Sequence, residues 1–131
     1  MIFHARLRLS KRPIRRYTWS ELPKDRRSRH NQTMHHTTII GLLTLELELP
    51  GVSSLKEKRG ILKFLISRVQ KQFNVSVAEV GYNDVWQSSA IAIATVTNST
   101  RHANQVVDTV LKWIEQNFPD LEIIGERIEI I

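Results

Sequence analysis

From Ile39 to Leu49 the chain alternates with a period of two. Leu43, Leu45, Leu47 and Leu49 fall on one side, and Thr44, Glu46 and Glu48 on the other. Successive side chains of a β-strand point to opposite faces of its sheet, so this pattern specifies a strand buried on one face only. Pro50-Gly51 ends it, and the period then changes. Ser54 followed three residues later by Glu57 is a capping box, which marks a helix start. Leu55 to Phe73 carries Ile61, Leu62, Leu65, Ile66, Val69 and Phe73 at helical spacing, one apolar stripe with Asn74 as its stop.

The remaining chain repeats this grammar. Val75 to Tyr82 reads as a strand, Asn83-Asp84 as a turn, and Trp86 to Thr97 as the hairpin partner. A second helix follows from Arg101 to Asn117, with Ala103, Val106, Val107, Val110, Leu111 and Ile114 on one side. Pro119-Asp120 breaks it, and Leu121 to Ile131 forms a last strand. The order is β-α-β-β-α-β. Right-handed crossovers then place both helices on one face of a four-stranded antiparallel sheet, a ferredoxin-like α+β fold with its first and third strands central. The alternation in the third strand does not decide whether Ala90, Ala92 and Ala94 face the helices or the open side.

Charge divides the chain in two. The formal net charge of +6 combines ten Lys/Arg against Glu21 and Asp25 in residues 1–36 with nine Lys/Arg against eleven Asp/Glu in residues 37–131. The first segment is therefore +8 and the second −2. Residues 1–37 are Arg-rich, interrupted by Pro13 and Pro23, and show no sustained period. Such a segment buries too little apolar surface to offset its ordering entropy, so it is expected to be disordered in isolation. Three readings fit it: a basic arm on RNA with Tyr17 and Trp19 for stacking, an Arg-rich transit peptide, or an extension from a misplaced start with Met34 as the alternative. Residues 38–131 make up the folded domain.

Absence of cysteine removes disulfides, thiolate metal sites and a cysteine nucleophile, in keeping with a reducing cytoplasm. No run of about 20 apolar residues offers a membrane span, and no apolar h-region marks a secretory signal.

Several stretches resemble a known family. Leu43 to Leu49 leading into Pro50-Gly51, then Ser54-Leu55-Lys56-Glu57-Lys58-Arg59, is similar to the opening of the YlxP-like proteins of bacteria, a family of unknown function. The likeness continues through Phe73 to Val80 and Asp84-Val85-Trp86-Gln87 and covers residues 38–131. It implies a small cytoplasmic ferredoxin-like protein, encoded among translation and ribosome-maturation genes and linked to RNA or the ribosome. It implies no known reaction.

Lys56, Lys58 and Arg59 stand in the first helical turn, where partial positive charge from unpaired N–H groups favours acidic side chains. Cations there make sense if a phosphate binds, with Ser54 at the cap and Lys63 one turn further on. The plain alternative is a solvated face, partly neutralised by Glu57. At the hairpin tip, Asp84, Trp86 and Gln87 offer a stacking or partner contact, unless Trp86 folds back onto the core. The open sheet face would carry Leu42, Thr44, Glu46 and Glu48 and no aromatic residue, which argues against base stacking there and for protein docking or a homodimer. Glu46 and Glu48 share one face, and Glu79 is a candidate to approach them. His102 is the one histidine of the domain beyond the His35-His36 approach, and no metal-ligand spacing or nucleophile elbow surrounds any candidate.

The resulting expectation is a non-catalytic, cytoplasmic RNA- or ribosome-associated accessory protein without cofactor, metal or membrane attachment. It would contact phosphate backbone through Ser54, Lys56, Lys58, Arg59 and Lys63. The alternative is a protein-interaction module or homodimer, docking through its open sheet face or hairpin tip without direct RNA binding.

Overall fold

The computed structural model describes residues 19–21 and 36–131. Of the first unit, residues 1–36, the described part is a 3-10 turn at Trp19–Glu21. The expectations for Tyr17, Met34, His35 and the Arg-rich stretches lie outside the described residues. The second unit, residues 37–131, holds β1 (Ile39–Glu48), α1 (Leu55–Gln72), β2 (Ser76–Gly81), β3 (Ser88–Thr97), α2 (Thr100–Asn117) and β4 (Glu122–Ile130). Its four strands form one antiparallel sheet in the order β2-β3-β1-β4, so β1 and β3 are central as the sequence pattern requires.

Register explains the two faces. Leu43, Leu45 and Leu47 of β1 stand opposite Ile93, Ile91 and Ser89 of β3, and all six are buried. Leu62, Leu65 and Val69 of α1 join Val107, Val110 and Ile114 of α2 in covering them. Gly41 allows the closest approach. A Cβ there would meet Thr95 and Val107 at 3.1 Å and Ala103 at 3.3 Å, so α2 packs directly on the β1 backbone. On the other face Leu42, Thr44, Glu46 and Glu48 oppose Ala94, Ala92, Ala90 and Ser88. The alanines of β3 therefore lie on the open side, and the bulkier isoleucines lie under the helices.

Several boundaries differ from the sequence expectation by a residue or two, and three of them have a clear local reason. Leu49-Pro50-Gly51-Val52 is a tight turn with Gly51 at φ 79° and the Val52 N–H on the Leu49 carbonyl at 3.4 Å; Pro and Gly occupy the positions that a type II turn favours. Ser99 caps α2 by accepting from the His102 N–H at 3.3 Å, which starts the helix at Thr100. The hairpin is shorter than its apolar run. Tyr82 to Gln87 leave the ladder, and Tyr82 adopts φ 57°, a left-handed conformation unusual for an aromatic residue. Among the described residues, no helix is long and apolar enough to cross a membrane.

Candidate functional site

At the α1 N-terminus, Ser54 accepts the Glu57 N–H through its hydroxyl at 3.1 Å, as the capping box predicts. The return contact is displaced by one residue. Glu57 Oε2 accepts from the Ser53 N–H and the Ser53 hydroxyl, both at 3.1 Å. The first turn thus carries its own anion: the Glu57 carboxylate already complements the helix dipole. The Ser54 hydroxyl likewise has a protein partner and serves as a cap.

Lys58 requires a correction. Its side chain is fully buried, so it presents no charge to an incoming phosphate. Its ammonium donates to the carbonyl oxygens of Tyr82 and Val85, each at 2.6 Å, and of Ser88 at 2.9 Å. It also pairs with Glu79 Oε2 at 3.1 Å, and the same oxygen accepts the Ser89 hydroxyl at 2.7 Å. A buried charge is strongly disfavoured unless paired and hydrogen-bonded, and here every ammonium proton has an acceptor. The tether also explains the tip: two of the carbonyls that it gathers, those of Tyr82 and Val85, belong to residues withdrawn from the ladder, the third belongs to Ser88 at the start of β3, and the bond to Tyr82 holds that residue in its strained conformation. Sequence periodicity carried a signal for this role. Lys58 lies four residues before Leu62, seven before Leu65 and eleven before Val69, on the buried stripe of α1.

Without Lys58, the exposed cations in the first half of α1 are Lys56, Arg59 and Lys63. Their spacing of three and four residues places them on one stripe of the helix. Arg59 lies 4.0 Å from Asp84 at the hairpin tip, an exposed pair of small energetic weight that nonetheless sets the stripe beside the tip. Trp86 is 52% exposed, so it does not fold back onto the core; Tyr82 at 49% and Val85 at 46% extend the same surface. Gln87 has a structural role. Its Nε2 donates to the Val52 carbonyl at 3.1 Å, and its own carbonyl accepts from the Leu49 N–H at 2.9 Å. These bonds join the tip to the β1–α1 turn.

The open sheet face carries no aromatic residue among the described residues of its strands. Leu42, Ala78, Ala92, Ala94 and Val96 form an apolar area beside the Arg127–Glu129 ion pair of β4, while Glu46, Glu48 and Glu122 make the other end acidic. Glu79 does not join Glu46 and Glu48. It pairs with Ile91 on the helix side, across the sheet from them. His102 is exposed at the start of α2. No group of three or more His, Cys, Asp or Glu could hold a metal among the described residues.

Residues 40–128 match the family described as "Protein of unknown function (DUF503)". The chain belongs to this family. It is similar to the "Uncharacterized protein YlxP" of Bacillus subtilis (strain 168), with 40% identity over 91 residues, 70% of this chain and 98% of that protein. Among solved structures, the de novo designed protein Foldit4 is similar at TM-score 0.43 and 12% identity, covering 72% of this chain and 96% of the design. A C-terminal segment of the alpha subunit of aIF2 from Pyrococcus abyssi gives TM-score 0.43 and 13% identity over 80% of this chain and 56% of that one. The family relation rests on sequence, and the fold rests on the topology above.

Proposed function

We propose that this member of the DUF503 family is a non-catalytic, cytoplasmic, RNA- or ribosome-associated accessory protein. Its contact surface is the joined patch of α1 and the β2–β3 tip. Lys56, Arg59 and Lys63 take phosphates, and Tyr82 and Trp86 take unpaired bases by stacking. The observation that supports this most is the 4.0 Å approach of Arg59 to Asp84, which sets three exposed cations of one helix stripe beside two half-exposed aromatics. Cations that follow a backbone and rings that stack bases are the two elements of single-strand recognition without sequence readout.

Titration of a labelled single-stranded RNA across salt, with the full chain and with a chain starting at Met34, tests this reading. The shorter chain binds with a steep salt slope. Changing Lys56, Arg59 and Lys63 together to Glu flattens that slope by about 2, since each phosphate contact on a single strand contributes about 0.7. Binding by the full chain alone, or an unchanged slope in the triple variant, refutes it.

A second reading rests on the open face. Leu42, Ala92, Ala94 and Val96 form a flat, small-residue surface suited to a second copy of the domain or another protein. This reading gives a dimer that persists at high salt and RNA binding indifferent to the α1 cations.

A further inference from the structure

The helical side of the domain carries a separate surface. Val52, Ile61, Phe64, Phe118, Pro119 and Leu121 line a groove of about 830 Å³ between the first half of α1 and the α2–β4 connection. That size lies in the range of pockets that hold ligands or anchoring side chains. Phe64, in its wall, is 56% exposed. Gly60 leaves part of the groove without a side chain. A helix interior disfavours glycine, and a Cβ at this position would meet nothing within 4 Å among the described residues, so no packing among them demands it. Its backbone is open to close approach from outside.

The charges beside the groove say what fits. The Arg68 guanidinium lies over three rings, 5.5 Å from Phe64, 5.5 Å from Trp113 and 5.9 Å from Phe118. Phe64 and Phe118 pack edge to face at 5.9 Å, and both line the groove. Arg68 pairs with no carboxylate among the described residues. Lys56 is a second cation at the groove and has no ion-pair partner there either. The two acids of the lining are placed differently. Glu57, on α1, is hydrogen-bonded to Ser53, and Asp120 belongs to the α2–β4 connection. A nucleotide is poorly served: the Ser54 hydroxyl already accepts from Glu57, and Asn117 Nδ2 donates to the Trp113 carbonyl at 2.8 Å. An apolar body with a carboxylate beside it is served well.

We propose that this groove docks an amphipathic helical segment of a partner protein. Its apolar side chains enter between Ile61, Phe64, Phe118 and Leu121, and acidic residues at its two ends meet Lys56 and Arg68, which stand twelve residues apart on α1, about 18 Å along its axis. The interaction uses a different surface from the RNA reading, Lys56 alone being common to both, and makes the domain a link between two partners.

Two fluorescein-labelled helical peptides, alike in a Leu stripe at i, i+3, i+4 and i+7 but flanked by Glu or by Lys, test this on the full chain by polarisation. The Glu-flanked peptide binds more tightly. Gly60→Leu fills the open space, keeps the melting temperature and weakens that binding about ten-fold or more, as loss of a central anchor site does. Arg68→Gln removes most of the preference for Glu over Lys. Amide shifts map to Gly60, Phe64 and Phe118. Absence of binding, equal binding of both peptides, or affinity unchanged in both variants (binding to residues 1–36) overturns the proposal. Amide shifts at Gly60 and Phe118 on adding single-stranded RNA instead of peptide overturn it in favour of a nucleic-acid groove.

Discussion

Replacing Lys58 by methionine isolates the tether between α1 and the hairpin. Methionine keeps most of the apolar stem and removes the ammonium, so packing changes little and four acceptors lose their donor: the carbonyls of Tyr82, Val85 and Ser88, and Glu79 Oε2. Removing one member of a buried pair costs about 3–5 kcal/mol, because its partner stays behind uncompensated. The Glu79 side chain is 17% exposed and retains the Ser89 hydroxyl, so water relieves part of the penalty and the lower end, about 3 kcal/mol, applies. For a domain of this size about 4–8 °C of melting temperature follows each kcal/mol, which places the loss at about 12–24 °C. Urea unfolding followed by tryptophan fluorescence gives the same loss as a lower midpoint with an unchanged slope. Adding Glu79→Met to Lys58→Met removes the orphaned carboxylate and recovers about 1 kcal/mol or more. A single-variant loss below about 1 kcal/mol, or a double variant weaker than the single, refutes the claim that a buried charge holds this hairpin.

Three further outcomes are expected. Gly51→Ala lowers stability by about 1–2 kcal/mol in chemical denaturation through its φ of 79°, since no neighbour among the described residues lies within 4 Å of the added Cβ. Ser54→Ala removes the α1 cap and costs about 1 kcal/mol, with Glu57→Gln a smaller loss because an amide oxygen still accepts from Ser53. Ala92→Arg on the open face leaves the melting temperature near that of the parent chain and, if copies pair through this face, converts the dimer to monomer in light scattering at any salt.

The fold was legible because the chain states its periods clearly. Leu43 to Leu49 can bury one face only as a strand, and Ile61 to Phe73 only as a helix. The third strand was ambiguous for a physical reason: both of its faces are free of charge, and only the size difference between Ile91 or Ile93 and Ala92 or Ala94 separates them. The register with β1 decides. The candidate site was legible at Lys56, Arg59, Lys63 and Trp86, which stand exposed. Lys58 was misplaced by its charge, since a lysine among cations reads as solvated. Its acceptors are backbone carbonyls from residues 82, 85 and 88, which no side-chain pattern announces. The helix start was readable, but the partner of Glu57 was not, because Ser53 and Ser54 offer equivalent chemistry one residue apart.

The tether grips the tip by its main chain, and main-chain carbonyls are the same for every amino acid. Residues 82, 85 and 88 can therefore exchange their side chains while the loop keeps its path, provided that position 82 tolerates a left-handed conformation. Shape and display are separated: α1 and Glu79 maintain the first, and the tip sequence is free to alter the second. Relatives that keep the lysine and the glutamate can thus present different surfaces from one unchanging frame, and acquire new partners without refolding.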